Sequence, residues 1–142
     1  MERAIFALGC FWGPDDYFSK LKGVLKTRVG YTGGTKKNPS YYDLGDNTET
    51  IEITFDPKII SFEELLKHFW KEHDPTEKHV TQYKSAIFYQ DEEQKKIAEK
   101  SKKEVEKKLG RKVATEIQKA GTFYQAEEYH QKYLQKGKGR VC

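Results

Sequence analysis

The most regular pattern in the chain runs from Thr48 to Phe55, where Ile51, Ile53 and Phe55 alternate with Thr50, Glu52 and Thr54. That is the two-residue period of a strand with one apolar face. Carried back one step, the apolar set includes Glu49, so a carboxyl points the way the aliphatic side chains point. Downstream the period changes: Phe62, Leu65, Leu66, Phe69 and Trp70 recur at helical spacing. Ser61 with Glu64 forms a capping box, Ile60 and Leu65 can staple it, and His73-Asp74-Pro75 stops the helix.

The remaining elements follow from weaker patterns. Ala4 to Leu8 reads as a strand that runs into Gly9-Cys10, and Pro14, Asp15 and Asp16 suit the first turn of a helix. Tyr17, Phe18 and Leu21 give that helix an apolar stripe, ended by Gly23. Val24 to Tyr31 predicts a second strand with Leu25, Val29 and Tyr31 on one face. A polar loop, long enough to carry functional residues, then runs from Gly33-Gly34 through Asn47. Gln82 to Tyr89 predicts another strand, with Tyr83, Ser85, Ile87 and Tyr89 facing one way. Asp91 and Gln94 cap a long helix ending at Gly110, and Val113, Thr115 and Ile117 predict a last strand. Ala126, Tyr129, His130 and Tyr133 suggest a short closing helix, and residues 137–142 have the composition of a mobile end.

This order predicts an α/β (α+β) protein, residues 1–142 forming a single domain in which helices pack on a mixed sheet. The first six elements, strand, helix, strand, strand, helix, strand, have the order of a ferredoxin-like core. The order of strands within the sheet is not readable from the pattern.

Composition narrows the function classes. The 142 residues carry 26 basic and 22 acidic side chains, and the lysines fall on helical stretches that also carry glutamate, so a nucleic-acid partner is not expected. No stretch approaches the roughly 20 apolar residues that span a bilayer, and no signal-like start is visible, so a cytoplasmic protein without a membrane role is expected. Two cysteines at opposite ends do not make a secreted disulfide framework, and any bridge between them is expected to be transient and catalytic.

Chemistry concentrates at Gly9-Cys10-Phe11-Trp12-Gly13. Glycines free the backbone on both sides of the thiol, two aromatics wall it, and a helix start beside it favours thiolate; Asp15 and Asp16 would oppose this if their carboxylates faced the sulfur. A reactive cysteine fits these surroundings better than a buried spectator. Phe11 and Trp12 are either core rings or a pocket for a small apolar group such as a sulfur-bound methyl. Glu49 either reaches solvent or a lysine, or is held in the apolar face with a raised pKa as a proton donor. Tyr41, Tyr42 and Tyr83 either pack or aim hydroxyls into a site. Cys142 is either an incidental thiol or the second sulfur that a sulfenic acid at Cys10 needs to form a disulfide. His68, His73, His79 and His130 have no metal-ligand spacing, and no metal is implied.

Six blocks, Gly9–Gly13 (GCFWG), Val29–Gly34 (VGYTGG), Asn38–Pro57, Leu65–Thr76, Gln82–Ile87 (QYKSAI) and Phe123–Leu134, resemble, in family order, the A-type peptide methionine sulfoxide reductases. The resemblance implies an α/β fold with a ferredoxin-like core and reduction of the S epimer of methionine sulfoxide, free or in proteins, without a bound cofactor. It implies Cys10 as the nucleophile left as sulfenic acid, Phe11 and Trp12 as the rings around the substrate methyl, and Glu49 as the acid for the sulfoxide oxygen. Tyr41 and Tyr83 match its hydroxyl donors. Cys142, twelve residues after His130, matches a resolving cysteine whose disulfide with Cys10 is reduced by thioredoxin or a similar dithiol. A monomer is expected.

The chain departs from the family pattern in three places. Asp15 stands where Glu is usual, the loop Thr76 to Thr81 is shorter and lacks its acid, and the cysteine that often follows the NPxY segment is missing, which leaves one internal relay step. Two other functions compete: a thiol redox sensor or sulfoxide-binding module, and a peroxide-reducing thiol enzyme. A pure sensor needs no placed acid, so the set Cys10, Glu49 and Tyr83 favours catalysis.

Overall fold

A computed structural model describes residues 1–132; the expected mobile end at 137–142, with Cys142, lies outside the described residues. Strands β1 (Glu2–Leu8), β2 (Val24–Thr32), β3 (Thr48–Phe55), β4 (Ser85–Tyr89), β5 (Glu116–Lys119) and β6 (Tyr124–Gln125) form one sheet in the order β5-β4-β1-β3-β2-β6. Only β4 and β5 pair parallel; the other contacts are antiparallel. The inner four strands, β4-β1-β3-β2, give the ferredoxin-like core that the element order implied.

Helices α1 (Trp12–Ser19), α2 (Phe62–Lys71) and α3 (Glu92–Leu109) cover one face. Their contact is a core of Ala4, Phe6, Ile51, Ile53, Phe55 and Ile87 from the strands with Phe18, Leu65, Leu66 and Phe69 from the helices. The Ser61–Glu64 capping box forms as expected, with the Ser61 Oγ accepting from the Glu64 N–H at 3.0 Å. Asp91 accepts from the Gln94 N–H at 2.9 Å, and Gly110 closes α3 with φ +70°, a conformation that costs a side-chain-free residue little.

The chain returns over the opposite face. Between β5 and β6, Ala120 and Phe123 pack on Ile5, Ala7, Ala86 and Phe88, and the Thr32 hydroxyl donates to the Thr122 carbonyl at 2.6 Å. This segment carries the chain from one edge of the sheet to the other, where the Tyr124–Gln125 pair adds to β2. It then turns under α1, and the Gln131 side chain pairs with β2 as a strand would: Oε1 accepts the Val29 N–H at 3.0 Å and Nε2 donates to the Val29 carbonyl at 2.9 Å.

Four expectations are corrected. Leu25 is half-exposed, at 51 %, because a bulge between Val24 and Lys26 breaks the alternation that placed it inside. Strand β4 begins at Ser85, since Thr81–Tyr83 forms a 3₁₀ turn that carries Gln82 and Tyr83 off the sheet. The last long strand is displaced to Glu116–Lys119, because the buried Val113 and Thr115 are held by loop contacts, with the Val113 N–H on Glu106 and the Thr115 hydroxyl on Ser85. Of the expected closing helix, Tyr133 lies outside the described residues, and the described part forms a single 3₁₀ turn at Glu128–His130, preceded by the unexpected β6, whose pairing with the free edge of β2 prevails over helical spacing there.

Candidate active site

Cys10 lies between the end of β1 and the start of α1, after Gly9 at φ +95°, a backbone state that glycine adopts without strain. Cys10 is partly exposed and opens on a cleft of about 940 Å³ whose walls include Leu8, Pro14, Tyr17, Leu21, His79 and Tyr83. A somewhat larger hollow of about 1080 Å³ between α2 and α3 is lined by residues such as Trp70, Ile97 and Lys100 and contains no cysteine.

Glu49 sits at the start of β3, opposite Tyr31 of β2, on the face that Ile51, Ile53 and Phe55 share. It is 1 % exposed, so the inward alternative holds and the solvent or lysine alternative does not. Its Oε1 accepts the backbone N–H of Phe11, the residue after the thiol, at 3.2 Å, and its Oε2 accepts from the Gln82 amide at 2.6 Å. Burial pushes the carboxyl up to about 7, against the two hydrogen bonds, which favour the anion. Near neutral pH this side chain can therefore both hold and release a proton.

The aromatic side of the site is a second small cluster of Phe11, Val29, Tyr31, Leu44 and Ala126, with Trp12 and Tyr41 packed against it. Phe11 is 1 % exposed and stands 5.7 Å from the Tyr31 ring, while Trp12 is only partly buried. Burial, then the neighbouring Tyr83 hydroxyl, raises the Tyr41 hydroxyl above the ordinary tyrosine range. Its loop is pinned from both ends: Asp46 takes the Thr35 and Lys36 N–H groups at 2.7 and 3.0 Å, and Glu127 takes the Tyr41 N–H at 3.1 Å. The second oxygen of Glu127 accepts from the Tyr31 hydroxyl at 2.9 Å.

Asp15 does not face the sulfur. It is fully buried toward β2, accepting from the Thr27 hydroxyl at 2.7 Å, the Lys132 N–H at 2.7 Å and the Lys132 ammonium at 3.0 Å. Asp16, on the cleft wall, is paired with Lys20 at 3.1 Å.

The residues singled out in the sequence, Cys10, Phe11, Trp12, Tyr41, Glu49 and Tyr83, thus meet at one end of the sheet, and Cys142 lies outside the described residues. Three contributors escaped the sequence reading: Gln82, Glu127 and His130. All three lie inside the family-like blocks at 82–87 and 123–134, which was their only sequence signal. The Trp12 indole N–H donates to His130 Nδ1 at 2.9 Å, a contact between residues 118 positions apart. Among the described residues no group of three or more His, Cys, Asp or Glu side chains could hold a metal ion, and no helix is long and apolar enough to cross a membrane.

A partly exposed cysteine at a strand-to-helix turn, with a buried acid bonded one residue away, points to a cysteine-based enzyme on an α/β fold. Comparison with known proteins agrees and goes further. A profile of peptide methionine sulfoxide reductase matches residues 2–142. A peptide methionine sulfoxide reductase MsrA of Methanococcoides burtonii is 49 % identical over 148 aligned positions, covering 96 % of this chain and 97 % of that protein. The crystal structure of reduced Mxr1 from Saccharomyces cerevisiae superposes with a TM-score of 0.91 at 32 % identity, over 99 % of this chain and 88 % of that one. The same yeast protein in complex with Trx2 superposes with a TM-score of 0.68 at 29 % identity, over 93 % of this chain and 84 % of that one. The chain belongs to the peptide methionine sulfoxide reductase family and is an oxidoreductase.

Proposed function

We propose that the protein, acting as one domain over residues 1–142, reduces the S epimer of methionine sulfoxide, free or within proteins, by a Cys10–Cys142 thiol relay. The Cys10 thiolate attacks the sulfoxide sulfur while Glu49 gives its proton to the oxygen, with Tyr41 and Tyr83 donating hydrogen bonds to it. The methionine S–O bond and the new sulfur–sulfur bond then break, the oxygen passes to the Cys10 sulfur as sulfenic acid and methionine leaves, so the methionine sulfur has gained the two electrons that Cys10 has lost. The Cys142 thiol then condenses with the sulfenic acid to give a disulfide and water. A dithiol such as thioredoxin returns both cysteines to thiols and is itself oxidised to a disulfide.

The observation that carries this reading is Glu49: an acid with no cation among its hydrogen-bond partners, held up to about 7 and bonded to the residue next to the thiol. A sensor or a binding module has no use for a proton poised there. The partly buried Trp12 and buried Phe11 supply the apolar wall for the sulfur-bound methyl. The cleft, at about 940 Å³, is of the size that holds a drug-sized ligand, which supports a peptide as well as the free amino acid. Recycling by thioredoxin is supported by the yeast relative solved with Trx2. The reading places a monomer in the cytoplasm, where thiols are kept reduced.

Incubation of the protein with both epimers of a dabsyl-methionine sulfoxide and dithiothreitol is expected to consume one epimer; persistence of both would reject the reading. Cys142→Ser is expected to retain one turnover and to lose thioredoxin-driven cycling. Wild-type cycling in that variant would remove Cys142 from the relay.

A further inference from the structure

We propose, resting on the reductase reading, that Glu72 is a specificity-determining residue for protein substrates. The cleft beside Cys10 takes a lysine or arginine that flanks the methionine sulfoxide, with its aliphatic stem on Tyr17 and Leu21 and its charged head on the Glu72 carboxylate.

A methionine sulfoxide side chain fills only a small part of the cleft of about 940 Å³ on which Cys10 opens, so room is left for a neighbouring residue of a peptide. One wall of that room is apolar and fixed. The Tyr17 ring is held by the hydrogen bond of its hydroxyl to His68 Nδ1 at 2.6 Å and by edge contact with Phe18, and Leu21 packs against the main core. The other charges on the cleft are already matched: Asp16 pairs with Lys20 at 3.1 Å, and His79 stands 3.5 Å from the Glu77 carboxylate. Glu72 differs. It lines the same cleft and is exposed, and its carboxylate makes no hydrogen bond or ion pair with a described residue. It nevertheless stands close to the apolar wall, because burial, then the Glu72 charge, raises the Tyr17 hydroxyl above its ordinary value. The helix gains nothing from the carboxylate either. Glu72 is the C-cap of α2, with its N–H on the His68 carbonyl at 3.0 Å, and the negative end of a helix dipole favours cations over anions. The adjacent cation, Lys71, lines the hollow between α2 and α3 instead. An unpaired carboxylate at the end of an apolar wall fits a side chain with an aliphatic stem and a cationic head, which is the construction of lysine and arginine. A flanking leucine would gain the wall alone, and a flanking glutamate would be repelled.

Dabsyl-labelled pentapeptides whose methionine sulfoxide is flanked on both sides by Lys, Leu, Ser or Glu put this to the test. In the wild type at low salt, kcat/KM for the Lys-flanked peptide should exceed that for the Ser-flanked one about fivefold and that for the Glu-flanked one about tenfold, the range of an exposed ion pair and its reversal. The difference should lie in KM, since the contact is away from the reacting atoms. Sodium chloride at about 0.5 M should shrink the advantage of Lys and leave that of Leu over Ser in place. Glu72→Gln should bring the Lys- and Glu-flanked peptides to within about twofold of each other, and Glu72→Lys should invert their order. Leu21→Ser should lower the Lys- and Leu-flanked peptides together, relative to the Ser-flanked one. Equal kcat/KM for Lys and Glu flanks in the wild type, or an unchanged order in Glu72→Lys, overturns the proposal. If the wild type reduces none of the peptides, the reductase reading fails, while fluorescence-polarisation titrations of the same peptides against the Cys10→Ser protein, with and without Glu72→Lys, still decide whether Glu72 selects the basic flank.

Discussion

Asp15 and Glu49 are equally shut away from water, at 0 % and 1 % exposure, and both lie near the thiol in the chain or in space, yet the fold surrounds them in opposite ways. Asp15 receives a hydroxyl, a backbone N–H and an ammonium, all within 3.0 Å. Glu49 receives two amide N–H groups and no cation, in the continuation of an apolar face. Burial by itself therefore does not say what a carboxyl is for. A buried anion met by a cation is an anchor, here joining α1, β2 and Lys132, where the chain leaves the described region. A buried carboxyl met only by neutral donors keeps its proton to higher pH and can trade it.

The largest expected effect separates the two directly. Glu49→Ala should slow sulfoxide reduction by roughly 10²–10⁴-fold in single-turnover assays, with Glu49→Gln slowed less because its amide still donates a hydrogen bond. An alanine variant as fast as the wild type would remove Glu49 as the acid.

Asp15→Ala should act on stability instead. It leaves the Lys132 ammonium without its carboxylate, and urea unfolding should show a loss of about 3 kcal/mol, the low end for a broken buried pair because Lys132 is partly exposed. A wild-type unfolding midpoint with a collapsed rate would reverse the comparison.

Next comes the pH dependence of stability. The folded carboxyl of Glu49 titrates near 7 against 4.5 for the free group, so the folded chain binds the extra proton in that window. The Glu49 contribution to stability is then largest below about 4.5, falls as pH rises through the window, and is lost above it. Glu49→Gln has no such term, so its advantage over the wild type should grow by up to ~3 kcal/mol between acid and alkaline pH. A difference independent of pH would show that the carboxyl is not held up by burial.

The smallest effect concerns Gln82, whose amide favours the anion of Glu49. Gln82→Leu should move the alkaline limb of the rate profile upward by about one pH unit. Movement downward would mean that the amide stabilises the protonated acid.

Legibility in the sequence tracked how local each signal was. The register that turned Glu49 inward was visible because a strand's period is two residues and the apolar set ran unbroken from Ile51 to Phe55. The capping box at Ser61–Glu64 was visible for the same reason, since both partners lie within one turn. The bulge at Val24/Lys26 and the turn at Thr81–Tyr83 were not, because pairing with neighbouring strands and loops overrode local alternation there. Asp15 shows the limit most clearly: placed beside Cys10 in the chain, it raised the concern of a like charge at the thiol, and the fold turns it toward Thr27 and Lys132 instead.

By itself, the sequence determined the thiol and its glycines, the helix and strand succession of the ferredoxin-like core, and the face on which Glu49 lies, since these depend on residues a few positions apart. Only the tertiary structure decided the strand order, the path of residues 120–126 over the back of the sheet, and the partners that set each group's chemistry. The Phe11 amide reaches Glu49 across 38 positions, and Asp15 and Trp12 find Lys132 and His130 across 117 and 118. Whether a buried carboxyl becomes an anchor or an acid depends on which donors arrive from that far along the chain, and no local period encodes it.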